Sequence, residues 1–460
     1  MHPERVTRRS VLKSSLGMGL AAFLASCGSP SHPAASPCDG TPVAARPLTR
    51  PVTISWVSEE STRDLYANLI NLFQQEYKNI TVMQYDDQDH DKLLRSMACP
   101  SSVNNNIRPD IVSLDVIWIS EFVDKKLIIP LCNRWPLRER NQYFPITMQA
   151  ATIGQEVYAA PFRTDLGLLY YRRDLVPEPP KTWEELTEVA AKLKADKQVK
   201  YGYVWQGGTG YKTGRKYGEG LVCDYLEVLY SYGGRFDLHD LKTIDSPEAN
   251  EALARMASWV GTISPVAVTG YDETDTFNSW RDGNAAFMRN WPDDYVVSNK
   301  RNVAVGGNFD VAALPHGQLI GGNVGRSSPC LGGWYLGINS ASGPDQQEAA
   351  WIFIHWMMQE KAQLFAAKSN SWLMTLPSIY QNDDILTAFP FFEKIPDMLK
   401  ETITRPVFAR YAELSELMRA HIHKVLLRDG TVDSQPKVAL QNMRKDIEKL
   451  LLSKEQKNIC

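Results

Sequence analysis

At 460 residues the chain exceeds one compact core of ordinary size and is expected to form two or three domains. With 43% hydrophobic and 22% charged residues and a formal net charge of -3, its composition is globular, without the basic excess that nucleic-acid binding leaves on a sequence. Its 12 Trp and 19 Tyr serve packing, and aromatic side chains with a polar edge also suit sites for amphipathic ligands such as sugars.

The first residues read as an address. Arg5, Arg8, Arg9 and Lys13 precede an apolar run over 16–25 that is too short for a stop-transfer helix. Thr7-Arg8-Arg9-Ser10-Val11-Leu12-Lys13 resembles the twin-arginine export motif, and Leu24-Ala25-Ser26-Cys27 resembles the bacterial lipobox. These resemblances imply a signal peptide over 1–26, lipid attachment at Cys27 and work outside the cytoplasm at a membrane surface. Residues 28–51, dense in Ser, Pro, Ala and Gly, read as a flexible tether. Beyond Cys27, Cys38, Cys99, Cys132, Cys223, Cys330 and Cys460 remain, an even number that permits disulfides in an exported protein. Cys99 and Cys132, both in one expected lobe, are the candidate pair; Cys223, in an apolar helix, reads as a buried thiol.

The folded body opens as a βαβ unit: a strand over 52–56, a helix over 62–77 with Leu65, Leu69, Leu72 and Phe73 on one face, and a strand over 80–85. A helix over 91–98, a strand over 111–114 and a helix over 117–125 continue it, predicting a parallel or mixed sheet covered by helices. In such sheets ligands sit beyond the carboxyl ends of strands. Asp115 stands at such an end and reads equally as a cap for the next helix or as a ligand contact. Next come a short strand over 157–160 stopped by Pro161, a polar step Arg163-Thr164-Asp165, and a second strand over 166–171. Asp165 reads either as a turn residue bonding its own backbone or as a ligand carboxylate.

Thr182-Trp183-Glu184-Glu185 is a capping box that opens a helix to about residue 195. A strand over 201–205 leads into a Gly-rich stretch, 206–218, with Tyr211, Lys212, Arg215 and Lys216; its glycines fit neither a Walker loop nor a dinucleotide fingerprint, and it reads as a mobile loop. A helix over 221–232 ends at Gly233-Gly234, and Ser246-Pro247-Glu248 starts another. A strand over 284–290 delivers Trp291-Pro292. Trp291 reads as core, or, with Asn290, Asp293 and Asp294 around it, as a strand terminus opening onto a cleft. Strands over 311–314 and 334–338 follow, the latter behind Gly332-Gly333, where backbone can approach a ligand closely. Helices are expected over 345–358, 359–367, 408–427 and 438–452, the last with Leu440, Met443, Ile447 and Leu450 in one stripe.

No HExxH, CxxC pair or Gly-x-Ser-x-Gly elbow occurs, so metalloprotease, zinc-ribbon and elbow-hydrolase chemistries have no support. His421 and His423, two apart on a helix, face different ways and do not read as a ligand pair.

Taken in order, several motifs resemble one family. They are Asp110-Ile-Val-Ser-Leu-Asp115-Val-Ile-Trp118 with Glu121-Phe122, Tyr158-Ala-Ala-Pro161 through Thr164-Asp165 to Leu169-Tyr170-Tyr171, and Glu219-Gly220-Leu221-Val222 with Ser231-Tyr-Gly-Gly234. Gly283-Asn-Ala-Ala286 to Asn290-Trp291-Pro292, Gly332-Gly333-Trp334 and Arg405-Pro406-Val407 leading to Tyr411 complete the set. The order and spacing resemble the extracellular solute-binding component of a sugar ABC importer, of the maltose/trehalose-binding type, over nearly the whole mature chain. That resemblance implies an α/β, two-lobed periplasmic-binding-protein-like fold of type II, with hinge crossovers and the ligand between the lobes. The first lobe would take 52–164 and 313–375, the second 165–312 and 376–460.

It implies sugar contacts at Asp115, Asp165, Glu219, Trp291, Gly333 and Arg405, with Glu59, Trp205 and Tyr411 beside them. No metal, cofactor or catalysis is implied. The expected partners are an α-linked disaccharide such as trehalose or maltose, or a sucrose-like or glucosylglycerol-like glycoside, and the permease subunits of an ABC transporter. The expected form is a lipid-anchored monomer on the periplasmic or cell-surface side. Two alternatives stand beside this reading: an exported glycoside hydrolase with Asp165 and Glu219 as acid and nucleophile, and capture of a charged non-sugar solute. Arg163 and the basic 206–218 loop depart from the family pattern.

Overall fold

The computed structural model describes residues 47–59, 63–86, 89–99, 108–210, 218–319 and 325–453. The export motif, Cys27, most of the tether and residues 211–217 of the Gly-rich stretch lie outside these. The strands are β1 Val52–Ser58, β2 Ile80–Asp86, β3 Ile111–Asp115, β4 Thr152–Ile153, β5 Glu156–Val157, β6 Ala160–Leu166, β7 Leu168–Arg172, β8 Tyr201–Val204, β9 Ala285–Asn290, β10 Phe309–Ala312, β11 Leu331–Ile338 and β12 Leu373–Met374. They form one six-stranded sheet, in the order β12-β6-β11-β3-β1-β2, and one four-stranded sheet, β10-β7-β9-β8; β4 and β5 make a separate hairpin.

The predicted βαβ opening is present. β1 pairs in parallel with β2 and β3, and the helix Arg63–Glu76 buries Leu65, Leu69 and Phe73 against them. β11 then runs antiparallel between β3 and β6, so the sheet is mixed. In the second sheet β8 and β9 are parallel, while β7 is antiparallel to both β9 and β10.

The helix starts follow local chemistry. Thr182 Oγ1 accepts from the Glu185 amide at 3.0 Å, and Ser246 Oγ accepts from Ala249 at 3.2 Å with Pro247 in the first turn.

One expectation fails instructively. Arg163-Thr164-Asp165 is not a turn between strands: it lies inside β6, all of whose residues are buried. Thr164 pairs with Gly333 on one side and Leu373 on the other, so the polar step is sandwiched between two strands. Pro161 does not stop the strand because the β6–β11 register shifts beside it, between Trp334 and Tyr335, and proline is tolerated at such an irregularity.

The chain passes between the sheets at three neighbouring places. β6 becomes β7 across the single residue Gly167, where a Cβ would stand 2.0 Å from Glu227 Oε1 and 2.7 Å from Arg289 Nη2. Only a residue without a side chain lets this crossing lie against that ion pair. The second crossing enters β11 at Leu331, which pairs with Leu166. The third lies at Ile403, which bonds Pro329 at 2.9 Å and Leu331 at 2.8 Å through backbone groups. Residues 376–400, expected with the second lobe, bury Tyr380, Phe392 and Leu399 in a core shared by both sheets, with Tyr380 against Phe144 and Phe391 against Tyr295. The helices Tyr411–Leu427 and Pro436–Leu452 pack with Trp183, Leu226 and Trp259 in the other core.

Seven tryptophans, including Trp56, Trp205 and Trp372, are under 2% exposed, so the aromatic richness of the chain mostly serves packing. Cys99 and Cys132 are both disulfide-bonded, whereas Cys223 and Cys330 are free and buried. His421 bonds Asp446 and His423 bonds the Thr269 carbonyl, so the two rings do face different ways. Among the described residues no helix is long and apolar enough to cross a membrane.

His90 is 2% exposed, with Nε2 2.9 Å from Glu121 and Nδ1 3.2 Å from Asp91. Burial opposes its charge, but the two carboxylates outweigh burial and raise its pKa to about 8. A raised imidazole pKa stabilises the fold fully below the ordinary value of 6.5 and loses that contribution as the pH rises through about 8. Unfolding free energy is therefore expected to drop by roughly 2 kcal/mol across this window. Denaturant titrations of wild type and His90→Asn at each pH check this; the variant should show a flatter profile.

Candidate functional site

The carboxyl end of the six-stranded sheet gathers most of the charged residues singled out by sequence. β1 leads to Glu59, β3 ends at Asp115, and β6 carries Arg163 and Asp165. Register decides which side chains meet, because directly paired residues project from the same face. Trp334 pairs with both Asp115 and Arg163, and Gly332 pairs with Asp165. A Cβ on Gly332 would lie 3.1 Å from the Asp165 Cβ and 3.3 Å from the Trp291 ring, so its absence lets that indole reach the strand beside Asp165.

Two arginines each bridge two carboxylates. Arg405 donates from Nη2 to Asp115 at 3.2 Å and from Nη1 to Glu219 at 3.3 Å. Glu219, the first residue of the helix Glu219–Ser231, also accepts from Tyr411 at 2.9 Å and from the Ser415 hydroxyl. Arg163 places Nη1 3.3 Å from Asp165 and Nε 3.7 Å from Glu59, and its guanidinium lies 4.4 Å from the Trp372 ring centre.

Burial dominates the protonation of these acids. It raises the pKa of Glu59 against the pull of Arg163, and that of Asp115 against Arg405. Asp165 is pushed up to about 6 by burial, against Arg163, with Asp293, Asp115 and Glu59 adding like-charge repulsion.

Trp291 is half-buried and supported from behind. The guanidinium of Arg289 lies 4.0 Å from its ring centre. Arg289 itself is 1% exposed and donates to Glu227 at 2.9 and 2.6 Å and to Gln206 at 3.1 Å. The Trp291 carbonyl accepts from Tyr170 at 2.6 Å, and Glu273 accepts a hydrogen bond from the Trp291 side chain. Beside Arg405 a cavity of about 60 Å3 is lined by Val116, Ile117, Ala150, Leu331 and Val407.

The structure thus brings together Glu59, Asp115, Asp165, Glu219, Trp291 and Arg405. Gly333 lies one step from the contact: Gly332 is the residue that meets Trp291, while Gly333 turns the strand at φ +129 and accepts from the Val116 amide at 3.1 Å. Tyr411 is buried and serves Glu219 through its hydroxyl. Trp205 is not brought to the group. Its ring packs against Trp259 in the second core and its indole donates to Ser264, because its strand end is covered by neighbouring elements. Asp115 accepts from the Ile117 amide at 3.3 Å in the turn before the helix Ile119–Asp124 as well as from Arg405, but the residue at that helix's start is Trp118, so Asp115 is not its cap.

Sequence reasoning missed Trp372, Ser415 and Tyr66. Trp372 comes from a loop more than 200 residues away from Arg163 in sequence, and no local pattern marks it. Ser415 lies one helical turn beyond Tyr411, a spacing that could have flagged it once Tyr411 was suspected.

Two α/β bodies joined by neighbouring crossings, with charged side chains at the sheet ends, define a two-lobed protein of the periplasmic-binding-protein class. The chain matches the model of the bacterial extracellular solute-binding proteins over residues 58–364 and belongs to that family. A probable ABC transporter-binding protein of Deinococcus radiodurans is 34% identical over 348 residues, covering 73% of this chain and 78% of the relative. The structure of T. maritima MalE3 with maltose bound superimposes with a TM-score of 0.76 at 31% identity, covering 86% of this chain and 99% of that one. The GacH receptor of Streptomyces glaucescens shares the fold with a TM-score of 0.71 at 22% identity, over 88% of this chain and 99% of that one.

Gly333→Ala would bring a Cβ to 2.5 Å from the Arg163 carbonyl at a backbone angle that side chains rarely adopt. It is expected to cost more than about 2 kcal/mol. Gly307→Ala, at φ +74 with nothing within 4 Å, should cost only about 1 kcal/mol. Denaturant unfolding of the two variants measures the difference.

Proposed function

We propose that this protein captures a small sugar outside the cytoplasm and delivers it to the permease of an ABC importer. The ligand we favour is an α-linked disaccharide such as maltose or trehalose, or a similar small glycoside. One observation carries this reading: residues of both sheets converge at one place, with two arginine-bridged carboxylate pairs beside the half-buried face of Trp291.

The residue types suit the task. A carboxylate held by an arginine on one side keeps lone pairs for sugar hydroxyls, and an indole covers the apolar face of a pyranose. The maltose held by the T. maritima relative and the name of a maltotriose-binding protein of Pyrococcus abyssi, 24% identical over 54% of this chain and 50% of its own, support the choice of sugar.

In this reading Asp115, Asp165, Glu219, Trp291, Arg405 and Glu59 surround the ligand, while Gly333 and Tyr411 hold the shape. The first lobe comprises the six-stranded sheet with residues 376–400, the second the four-stranded sheet with the last two helices. Bending occurs at Gly167, at the entry to β11 and at Ile403. Cys27 carries the lipid; Cys27→Ala should release the exported protein from membranes into the soluble fraction, and retention there would remove the anchor.

Calorimetric titration with maltose, trehalose and sucrose, alongside analysis for released glucose, tests the function. Binding of an unchanged sugar with a raised melting temperature is expected. Hydrolysis would favour the glycosidase alternative, and silence towards sugars with a response to charged solutes the other. Trp291→Ala and Asp165→Asn should each weaken binding by about a hundredfold. Because Asp165 titrates near 6 and accepts best when ionised, affinity should fall as the pH drops through about 6, a dependence that Asp165→Asn abolishes.

A further inference from the structure

Arg163 sits in the middle of the site, where the capture scheme above uses it only to hold Asp165 and Glu59 and gives it no contact with the ligand. It is only 5% exposed, and its contacts form a closed ring. Its Nε faces Glu59 at 3.7 Å, Glu59 accepts from the Tyr66 hydroxyl at 3.2 Å, the Tyr66 ring lies 5.6 Å from Trp372, and Trp372 carries the guanidinium at 4.4 Å. Phe162 meets Trp372 edge-on at 6.4 Å. The guanidinium therefore lies over the Trp372 ring with carboxylates beside it.

Its hydrogen bonding is thin for so buried a cation. Nη1 reaches Asp165 at 3.4 Å, a long bond. Nε is buried without a hydrogen bond, having only the ion pair with Glu59, and Nη2 donates to no group among the described residues. A guanidinium presents five N–H donors in a fixed fork, and buried donors normally find acceptors. The same strand face carries Asp165 two residues on, beside Gly332 and the Trp291 ring. An acceptor and an unfilled donor fork thus stand side by side on the wall that Trp291 faces.

We infer that Arg163 is a specificity-determining residue that donates to the ligand through Nη2, so that Asp165 and Arg163 together read two adjacent hydroxyls of one sugar ring. One hydroxyl donates a hydrogen bond to Asp165, and its neighbour accepts one from Arg163. The ligand class is a glycoside whose ring at this end carries an unsubstituted vicinal diol. A site built to bond a hydroxyl rejects the analogue lacking it, because its own polar group is then left unpaired. This inference rests on the sugar-capture reading.

The test is calorimetry of wild type, Arg163→Met and Arg163→Lys with maltose, trehalose and sucrose, and with the monodeoxy series of whichever sugar the wild type binds. Arg163→Met should bind about ten to a hundred times more weakly. One monodeoxy sugar, rejected by wild type at least about tenfold, should bind the variant no worse than its parent does. Lysine keeps the charge but not the fork and should restore only part of the affinity. If Arg163→Met does not fold, Arg163→Lys carries the same deoxy comparison. Arg163→Met binding like wild type would overturn the inference, as would weakened binding with every deoxy penalty intact, since that marks a purely structural role. Either result leaves sugar capture standing; a wild type that binds none of maltose, trehalose and sucrose overturns both readings.

Discussion

The pairing of β6 with β11 is the constraint on which the site depends. It sets Gly332 against Asp165 and Trp334 against Arg163, and it continues on the other edge of β11 to place Asp115 beside Trp334. A slip of one residue would turn each of these side chains to the opposite face of the sheet. Two features hold the register: the irregularity between Trp334 and Tyr335 absorbs one residue, and Gly333 takes a backbone angle closed to other residues. The same pairing brings Leu331 against Leu166, so the first two crossings between the sheets lie side by side.

Charge burial is the second organising cost. Glu59, Asp165, Arg163, Arg405 and Arg289 are all largely withdrawn from water. Each arginine is shared between two acidic partners, Glu227 and Asp224 in the case of Arg289. Such clusters seldom add net stability, because desolvation offsets much of the attraction. Their value lies in fixed geometry. Arg289 illustrates this: it supports Trp291 from behind while Glu227, its partner, also receives the Cys330 amide at 3.0 Å at the entry to β11. The aromatic wall and a crossing between the sheets therefore share one buried ion pair.

The arrangement also explains why so few residues need to touch a ligand directly. Tyr411 and Ser415 hold Glu219, Tyr66 holds Glu59, and Tyr170 holds the backbone of Trp291. A carboxylate whose one side is already occupied loses little further freedom when a hydroxyl arrives at the other, which is the advantage of a preorganised site.

Much was legible in the sequence by itself. Apolar periodicity marked β1, the helix Arg63–Glu76 and β2, and capping residues marked the helix starts at Thr182 and Ser246, because these signals are local and repeat with the geometry of the element. The position of Asp115 after an apolar strand, and of Trp291 after another, also followed from local pattern. Tertiary structure decided the rest. Arg163-Thr164-Asp165 looks like a turn because three polar residues interrupt an apolar run; only pairing on both edges makes it a buried strand. Trp205 and Trp291 each follow a strand, yet one is closed over by Trp259 and the other stands half-open above Gly332. Trp372 reaches Arg163 from the far end of the chain. Side-chain burial and cross-strand contact depend on which distant segments come to lie alongside, and no short stretch of sequence contains that information.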